Sequence, residues 1–347
     1  MPRGTGSLPV TVESEPYNAE TQIGILVRKD ITPNNSFYIR NHFAVPSLDP
    51  KTWKLRVTGD VQSEVALSLS QIREMRSKTT LVTIECAGNG RMRMRPVPPS
   101  TPWRDGAVAT AQWTGVPLKH VLEAANPQKN VVEILFRGAD AGVESGRDLS
   151  FERSLPLVEA LREDIILVYE MNGRPLPKAH GFPLRLIVPG RYGMASVKWL
   201  KEIHALKEPF QGYYQRERYI YRNGKRANQP VNRIRVKSLI LQPSENVVLK
   251  LGRLYKVTGL AWSGFGPITK VEFRTHNSDW REAQMANDLG RHAWRRWTIS
   301  WNPQQPGRHL LMSRASDEAG GQQPDEPVWN TYGYGYNTVH TRSVSVV

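Results

Sequence analysis

Apolar and polar residues alternate at Trp53, Leu55 and Val57, the period-two pattern of a strand with one buried face. Leu69, Ile72 and Met75 recur at three-residue intervals instead, which predicts a helix. Pro117 suits the first turn of a second helix, where its missing N–H costs nothing, and Leu118, Val121, Leu122 and Ala125 give that helix one apolar face. The runs VVEILFRG (131–138) and LRLIVPG (184–190) predict strands, with a short helix around Leu157 and Leu161 between them. Residues 1 to about 36 are polar and predict irregular structure. The first two thirds therefore reads as mixed α and β.

From about Val236 the pattern changes to short β-type runs separated by turn residues: LYKVTGLAW, ITKVEFRTH, RRWTISW, HLLMSRAS and TRSVSV. Trp297, Ile299 and Trp301 alternate, and the regular spacing predicts a β-sandwich. A boundary near 232–240 divides the chain into domains of residues 1–235 and 236–347. The proline-rich PVPPSTPW (96–103) is held extended, because each proline bars its predecessor from the helical region.

Composition narrows the function classes. Apolar residues at 39% and charged residues at 23% fit a soluble globular protein, and no run approaches the length of a membrane span. MPRGTGSLPV lacks the apolar core of a secretory signal. The compartment is open: periplasmic if a leader was removed, otherwise cytoplasmic. Lys and Arg outnumber Asp and Glu by 47 to 32, giving a formal charge of +15, so anions are the expected partners. Because the arginines are spread along the chain without a basic tail or a nucleic-acid motif, a nucleic-acid role is not expected. Arginine's planar fork suits small oxyanions held in a pocket.

The 347 residues contain one cysteine, which excludes an internal disulfide, a multi-cysteine zinc site and a C-x-x-C-H haem attachment. Cys86 lies in TIECAGNGRMRMR (83–95), after an apolar strand-like run and before Gly, Asn and Gly, a backbone able to turn sharply and approach a ligand. Arg91, Arg93 and Arg95 are expected to lower the pKa of a nearby thiol. A buried inert thiol is the bland reading. A nucleophile would draw its base from His42, His120, His180 or His204, with no protease signature around Cys86. A metal site would need its remaining ligands from a cofactor, as in molybdenum held by a pterin dithiolene and one cysteine.

Several motifs stand in a recognisable order: FYIRNH (37–42), ECAGNGR (85–91), WTGVPL (113–118), YEMNGRPLPKAHGFPLRLIVPGRYGMASVKWL (169–200) and PFQGYYQRERY (209–219), followed by VTGLAWSG, WREA, AWRRW and QPDEPVWN. Together they resemble the sulfite oxidase family of molybdenum enzymes over most of the chain. The resemblance implies an α+β molybdopterin-binding domain followed by an all-β immunoglobulin-like domain that commonly makes a homodimer. It implies that Cys86 binds molybdenum, and that Tyr38, Ile39, Arg40, Asn41, His42, Asp140, His180, Arg185, Ser196, Val197 and Lys198 hold the pterin and its phosphate tail. It places Arg40, Arg91, Tyr219 and Arg295 around the substrate oxyanion, with Trp113 as a wall.

The implied reaction is oxygen-atom transfer that turns sulfite into sulfate. Electrons would pass to a separate acceptor such as a cytochrome c, docked by opposite charge, since no haem domain fits within this sequence. Nitrate or another sulfur compound is the alternative substrate, and a cofactor-less thiol hydrolase or basic binding module the alternative class. Two departures from the family bear on the pocket. Gly90 stands where many relatives carry a first of two arginines, with residues 92–103 inserted behind it. Arg218 stands where vertebrate-type enzymes have an acid, which shifts the expected pocket charge further positive.

Overall fold

Two five-stranded sheets built from residues 54–206 enclose the main core. The computed structural model describes residues 7–223 and 227–347. In one sheet the order is Arg174–Pro175, Ile166–Met171, Val108–Pro117, Lys78–Glu85, with Arg185–Ile187 also pairing with Ile166–Met171. In the other it is Val65–Ser68, Lys54–Gly59, Leu200–Leu206, Glu133–Glu144, Arg147–Pro156. Lys54–Gly59 and Leu200–Leu206 run parallel, whereas their neighbours are antiparallel. Leu55, Val57, Ile134, Phe136 and Ile203 meet Val116, Leu167 and Leu186 in one apolar cluster.

The three predicted helices form at Leu69–Glu74, Leu118–Ala125 and Leu157–Ala160. Ser68 caps the first through a reciprocal capping box with Gln71, which satisfies two amides that the helix itself leaves unpaired. Pro117 sits immediately before the second rather than inside it, and Asn126 ends it in a left-handed conformation (φ 52°). The amino-terminal stretch is more regular than its polarity predicts. Val10–Glu13 pairs with Asn18–Glu20, and Ile23–Arg28 is helical, elements too short to leave a period in the sequence.

From Lys237 onward the chain forms a sandwich. One sheet orders Lys237–Gln242, Tyr255–Trp262, Arg295–Trp301 and Gln284–Met285. The other orders Val247–Leu249, His340–Val346, Gly307–Asp317, Ile268–Thr275 and Arg281–Glu282. Val257, Val271, Phe273, Trp297, Leu311 and Val344 fill the space between them.

The sandwich is fastened to the first domain along the strand that leads to the cysteine. Thr83 N–H donates to His292 O (2.8 Å), Trp294 N–H donates to Thr83 Oγ1 (2.8 Å), and Trp294 Nε1 donates to Asp30 O (3.0 Å). Residues 329–337 then cross back onto the first domain, where Trp329 Nε1 reaches Pro96 O (2.9 Å) and Gly335 N–H reaches Ala87 O (2.8 Å). Among the described residues no helix is long and apolar enough to cross a membrane.

Candidate functional site

Cys86 follows directly on the strand Lys78–Glu85, its N–H bonded to Ala107 O (2.9 Å) while Asn89 N–H closes a turn onto Cys86 O (2.9 Å). The chain then passes through Gly90 in the left-handed region (φ 87°), where a Cβ would lie 2.7 Å from the Tyr336 ring. That close approach explains why this chain cannot carry a side chain here while Tyr336 keeps its place. Gly90→Ala is expected to lower stability by roughly 1–3 kcal/mol through backbone strain and the clash, read as a lower urea midpoint with unchanged m. An unchanged midpoint would contradict it.

The three arginines after Cys86 do not act on it together. Arg93 forks onto Asp105 (Nε–Oδ1 2.9 Å, Nη2–Oδ2 2.6 Å), and Arg95 donates to the carbonyls of Met92 and Met94. Only Arg91 remains, aided by Arg40 from another segment, and neither offsets the 8% exposure of the thiol. Burial pushes the Cys86 thiol up, correcting the expected fall. The free thiol is therefore protonated at neutral pH, and a metal would have to displace that proton.

Cys86 opens onto a cavity. Tyr38, Ile39, Arg40, His42, His180, Arg185, Ser196, Lys198 and Tyr219, all expected site residues, line it, with Phe37, Ile84, Phe151 and Met194 supplying apolar wall. Three lining residues are cations and none carries a carboxylate. By contrast, the buried Lys237 is paired with the buried Glu85 (3.1 Å).

Arg185 shows the imbalance most clearly. It comes from the strand Arg185–Ile187, donates to His180 O (2.9 Å) and Ser196 O (3.2 Å), and rests its guanidinium 5.0 Å from the centre of the Trp113 ring. Its Nε is buried without a partner, and burial depresses its pKa to about 10, opposed only by the Tyr38 phenol. Lys198 donates to Asn41 Oδ1 and to Ala179 O (3.1 Å). Burial and the neighbouring Arg185 and Arg40 push its pKa down, against the pull of Asp140. Asp140 is itself buried, with Oδ1 unpartnered and its pKa raised by burial to about 6. His180 is held neutral, its pKa near 3 through burial and the adjacent Lys198 and Arg185. Since Asn34 O accepts from His180 Nε2 (3.1 Å), Nδ1 is left as the acceptor.

On the opposite side, Tyr219 Oη lies 2.8 Å from His42 Nε2. Burial and the surrounding Arg40, Arg218, Lys198 and Arg153 keep His42 neutral, so the bond joins two uncharged groups. Burial likewise raises the Tyr219 pKa and preserves its proton. Behind this pair stands Arg153, 2% exposed, donating to Tyr214 O with its charge 5.7 Å from the Tyr219 ring centre. Arg153 escaped the sequence reading. Its signal was an arginine in the same strand register as the inward-facing Phe151 and Leu155.

Other expectations are corrected. Arg91 is 2% exposed and its guanidinium is engaged by Tyr332 O (2.7 Å) and Thr101 O, so it adds positive potential without lining the cavity. Gly333 makes that arrangement possible, because a Cβ there would lie 2.7 Å from Arg91 Cγ. Arg218 pairs with Glu144 (3.0 Å) and donates to Tyr334 Oη (3.1 Å), so much of the extra pocket charge expected from it is neutralised. Trp113 is fully buried one layer back, edge-on to Phe37, with Nε1 bonded to Val82 O (3.3 Å). Val197 lies in the core, and Asn41 is buried beneath Lys198. Arg295 is not brought to the cavity: it sits on the outside of the sandwich, bonded to Ala286 O (2.9 Å) and Asp288 (3.5 Å).

Among the described residues no three His, Cys, Asp or Glu side chains converge on a metal-sized point, so a metal at Cys86 takes its other ligands from a cofactor. One thiol, three cations without an acidic partner, an orphaned guanidinium N–H and a neutral histidine acceptor fit an anionic pterin carrying phosphate. Residues 42–214 match the oxidoreductase molybdopterin binding domain, and residues 228–347 match the Mo-co oxidoreductase dimerisation domain. Sulfite oxidase of Gallus gallus is 33% identical over 349 residues, covering 92% of this chain and 74% of that protein.

This chain belongs to the sulfite oxidase family. Its cofactor is accordingly molybdenum–molybdopterin, and its second domain is the family's immunoglobulin-like module. Mitochondrial sulfite oxidase of Rattus norvegicus is 32% identical over 362 residues, and the chain, 96% of which is covered, spans 64% of that protein's length. Nitrate reductase of Hordeum vulgare is 32% identical over 359 residues, covering 92% of this chain and 40% of that one. The sulfane dehydrogenase SoxCD of Paracoccus pantotrophus superimposes with a TM-score of 0.83 at 26% identity, over 95% of this chain and 84% of its own.

Proposed function

We propose that this chain oxidises sulfite to sulfate at a molybdenum held by Cys86 and molybdopterin, acting as a homodimer and passing electrons to a separate acceptor such as a cytochrome c. The observation that carries the reading is the cavity above Cys86, whose wall holds Arg40, Arg185 and Lys198 and no carboxylate. Buried cations without acidic partners are costly, and a polyanionic ligand removes that cost. Cys86, Arg185, Lys198, His180, Ser196 and Asp140 would hold the cofactor. Arg185 and Lys198 would offer charge-assisted bonds to phosphate and His180 Nδ1 would accept from a pterin N–H, with Asp140, off the cavity wall, acting through Lys198.

When bound, the molybdenum group supplies oxygen-atom transfer and takes up two electrons. The residues on the other side handle the substrate. Arg40 lines the same cavity as Cys86, and its field reaches the thiol. There it would hold an oxyanion, reinforced by the potential of Arg91 and Arg153 behind. Tyr219, a protonated phenol beside neutral His42, can offer its O–H to a substrate oxygen. Phe37, Phe151 and Met194 keep water from competing for these donors.

The net charge of +15 favours an acceptor with an acidic face. The likeness to nitrate reductase and sulfane dehydrogenase supports a second reading, the same site acting on nitrate or on a sulfur compound carried by a partner. Anaerobic titration of molybdenum-loaded protein separates them. Sulfite is expected to bleach the thiolate-to-metal absorption stoichiometrically, and nitrate to leave the reduced protein unchanged. Rapid reoxidation by nitrate with no response to sulfite would overturn the proposal.

A further inference from the structure

The cysteine strand ends in Glu85, a carboxylate 2% exposed and adjacent to the thiol-bearing residue. Its oxygens accept from three donors: Lys237 Nζ (3.1 Å) and Asn89 Nδ2 (2.9 Å) at Oε1, and Trp262 Nε1 (2.9 Å) at Oε2. Lys237 Nζ also donates to Asn89 O (3.1 Å) inside the Cys86 turn. Lys237 and Trp262 are cross-strand partners on one rung of the immunoglobulin-like sheet. That single rung therefore presents both donors to Glu85. Gly335, also from the second domain, donates to Ala87 O (2.8 Å). Residues 85, 87 and 89 are thus held from the second domain, and Cys86 lies among them.

We propose that Lys237 is a positioning residue for the metal site: the immunoglobulin-like domain sets the orientation and electrostatic surroundings of the Cys86 sulfur through the Lys237–Glu85–Trp262 cluster. The physical reason is twofold. A sulfur ligand's orbital overlap depends on the torsion of the loop that carries it, and outer partners fix that torsion. Glu85 is also a buried carboxylate on the residue next to the thiol. A paired Glu85 exerts little field, whereas an unpaired one would press electron density onto the sulfur.

This inference rests on Cys86 being the molybdenum ligand. The comparison uses holoenzymes of wild type, Lys237→Met, Trp262→Phe, Lys237→Met with Glu85→Gln, and Arg296→Ala. Arg296 joins the two domains through Asp30 (2.8 Å), Leu26 O (3.0 Å) and Val27 O (3.2 Å) rather than through residues 85–89, so Arg296→Ala controls for loosened domains.

Lys237→Met is expected to shift the thiolate-to-molybdenum charge-transfer band and lower kcat roughly 10- to 100-fold, the range for losing an outer-shell partner, with KM nearly unchanged. Trp262→Phe, which keeps the ring and loses one donor, is expected to shift the band in the same direction by less. It supplies the answer if Lys237→Met does not fold. The double variant, which removes the unpaired charge, should bring the band back toward wild type. Arg296→Ala should lower the melting temperature and leave the band in place. A band in Lys237→Met and Trp262→Phe identical to wild type, or shifted equally in Arg296→Ala, overturns the proposal. A wild-type protein that takes up molybdenum but shows no thiolate-to-metal band overturns the Cys86 assignment instead.

Discussion

Cys86→Ser is expected to abolish sulfite-driven turnover, to below about one hundredth of wild type, while the pterin stays bound. The loss should exceed the ~10–100-fold typical of removing an outer partner, because here the ligand itself is gone. Retention follows from where the binding groups lie. Arg185, Lys198 and His180 come from residues 178–198, and Arg40 and Tyr38 from the 37–42 segment, none of which leans on the thiol. Serine is nearly isosteric, and its hydroxyl retains a proton far more strongly than a thiol does, so it is a poor replacement ligand. Pterin content by fluorescence after oxidative release, set beside steady-state turnover, checks both halves. Wild-type turnover in Cys86→Ser would refute the ligand assignment.

Arg185→Met should separate stability from function in opposite directions. Cofactor retention should fall roughly 10- to 100-fold or more, the equivalent of one lost charge-assisted bond of about 1.5–3 kcal/mol. The cofactor-free protein should melt at the same temperature as wild type or higher. Its guanidinium is buried with Nε unpartnered and no carboxylate acting on it, so the empty fold bears a desolvation cost that methionine removes. The bonds to His180 O and Ser196 O are lost in exchange, which limits the gain. A large fall in the melting temperature of the cofactor-free variant would mark Arg185 as a core-stabilising group instead. Differential scanning calorimetry of protein made in a host lacking the cofactor supplies that reading.

Much of the site was legible because its residues sit close together in a few segments. FYIRNH brings Tyr38, Ile39, Arg40 and His42 to the cavity, and AHGFPLRLIVPGRYGMASVK brings His180, Arg185, Ser196 and Lys198 to it. What escaped depends on long-range packing. Arg91 was read as a substrate residue, yet its Nε and Nη1 donate to Tyr332 O, 241 positions away, and to Thr101 O, and it does not line the cavity. Arg295 was placed at the pocket by motif, but its strand turns that side chain outward toward Asp288. The thiol's pKa was judged from neighbours in sequence, whereas burial and the Arg93–Asp105 pair decide it in space. Arg153 was visible only as a charge in an apolar register. The hold of the second domain on the cysteine turn left no local trace, since Lys237 and Glu85 are 152 positions apart.

The fold shows the same division. Strands with a clean period-two face, such as those carrying Val57 and Trp297, were readable. The strand Arg147–Pro156 was not, because its buried face passes through Arg153 and its first two residues, Arg147 and Asp148, are charged and exposed.

The central claim is that a single protein sulfur binds molybdenum whose other soft donors arrive on an organic group. Molybdenum K-edge absorption fine structure counts those donors directly. Three sulfur neighbours in the wild-type holoenzyme, falling to two in Cys86→Ser with the pterin still present, is the predicted result. An unchanged sulfur count in the variant would contradict it.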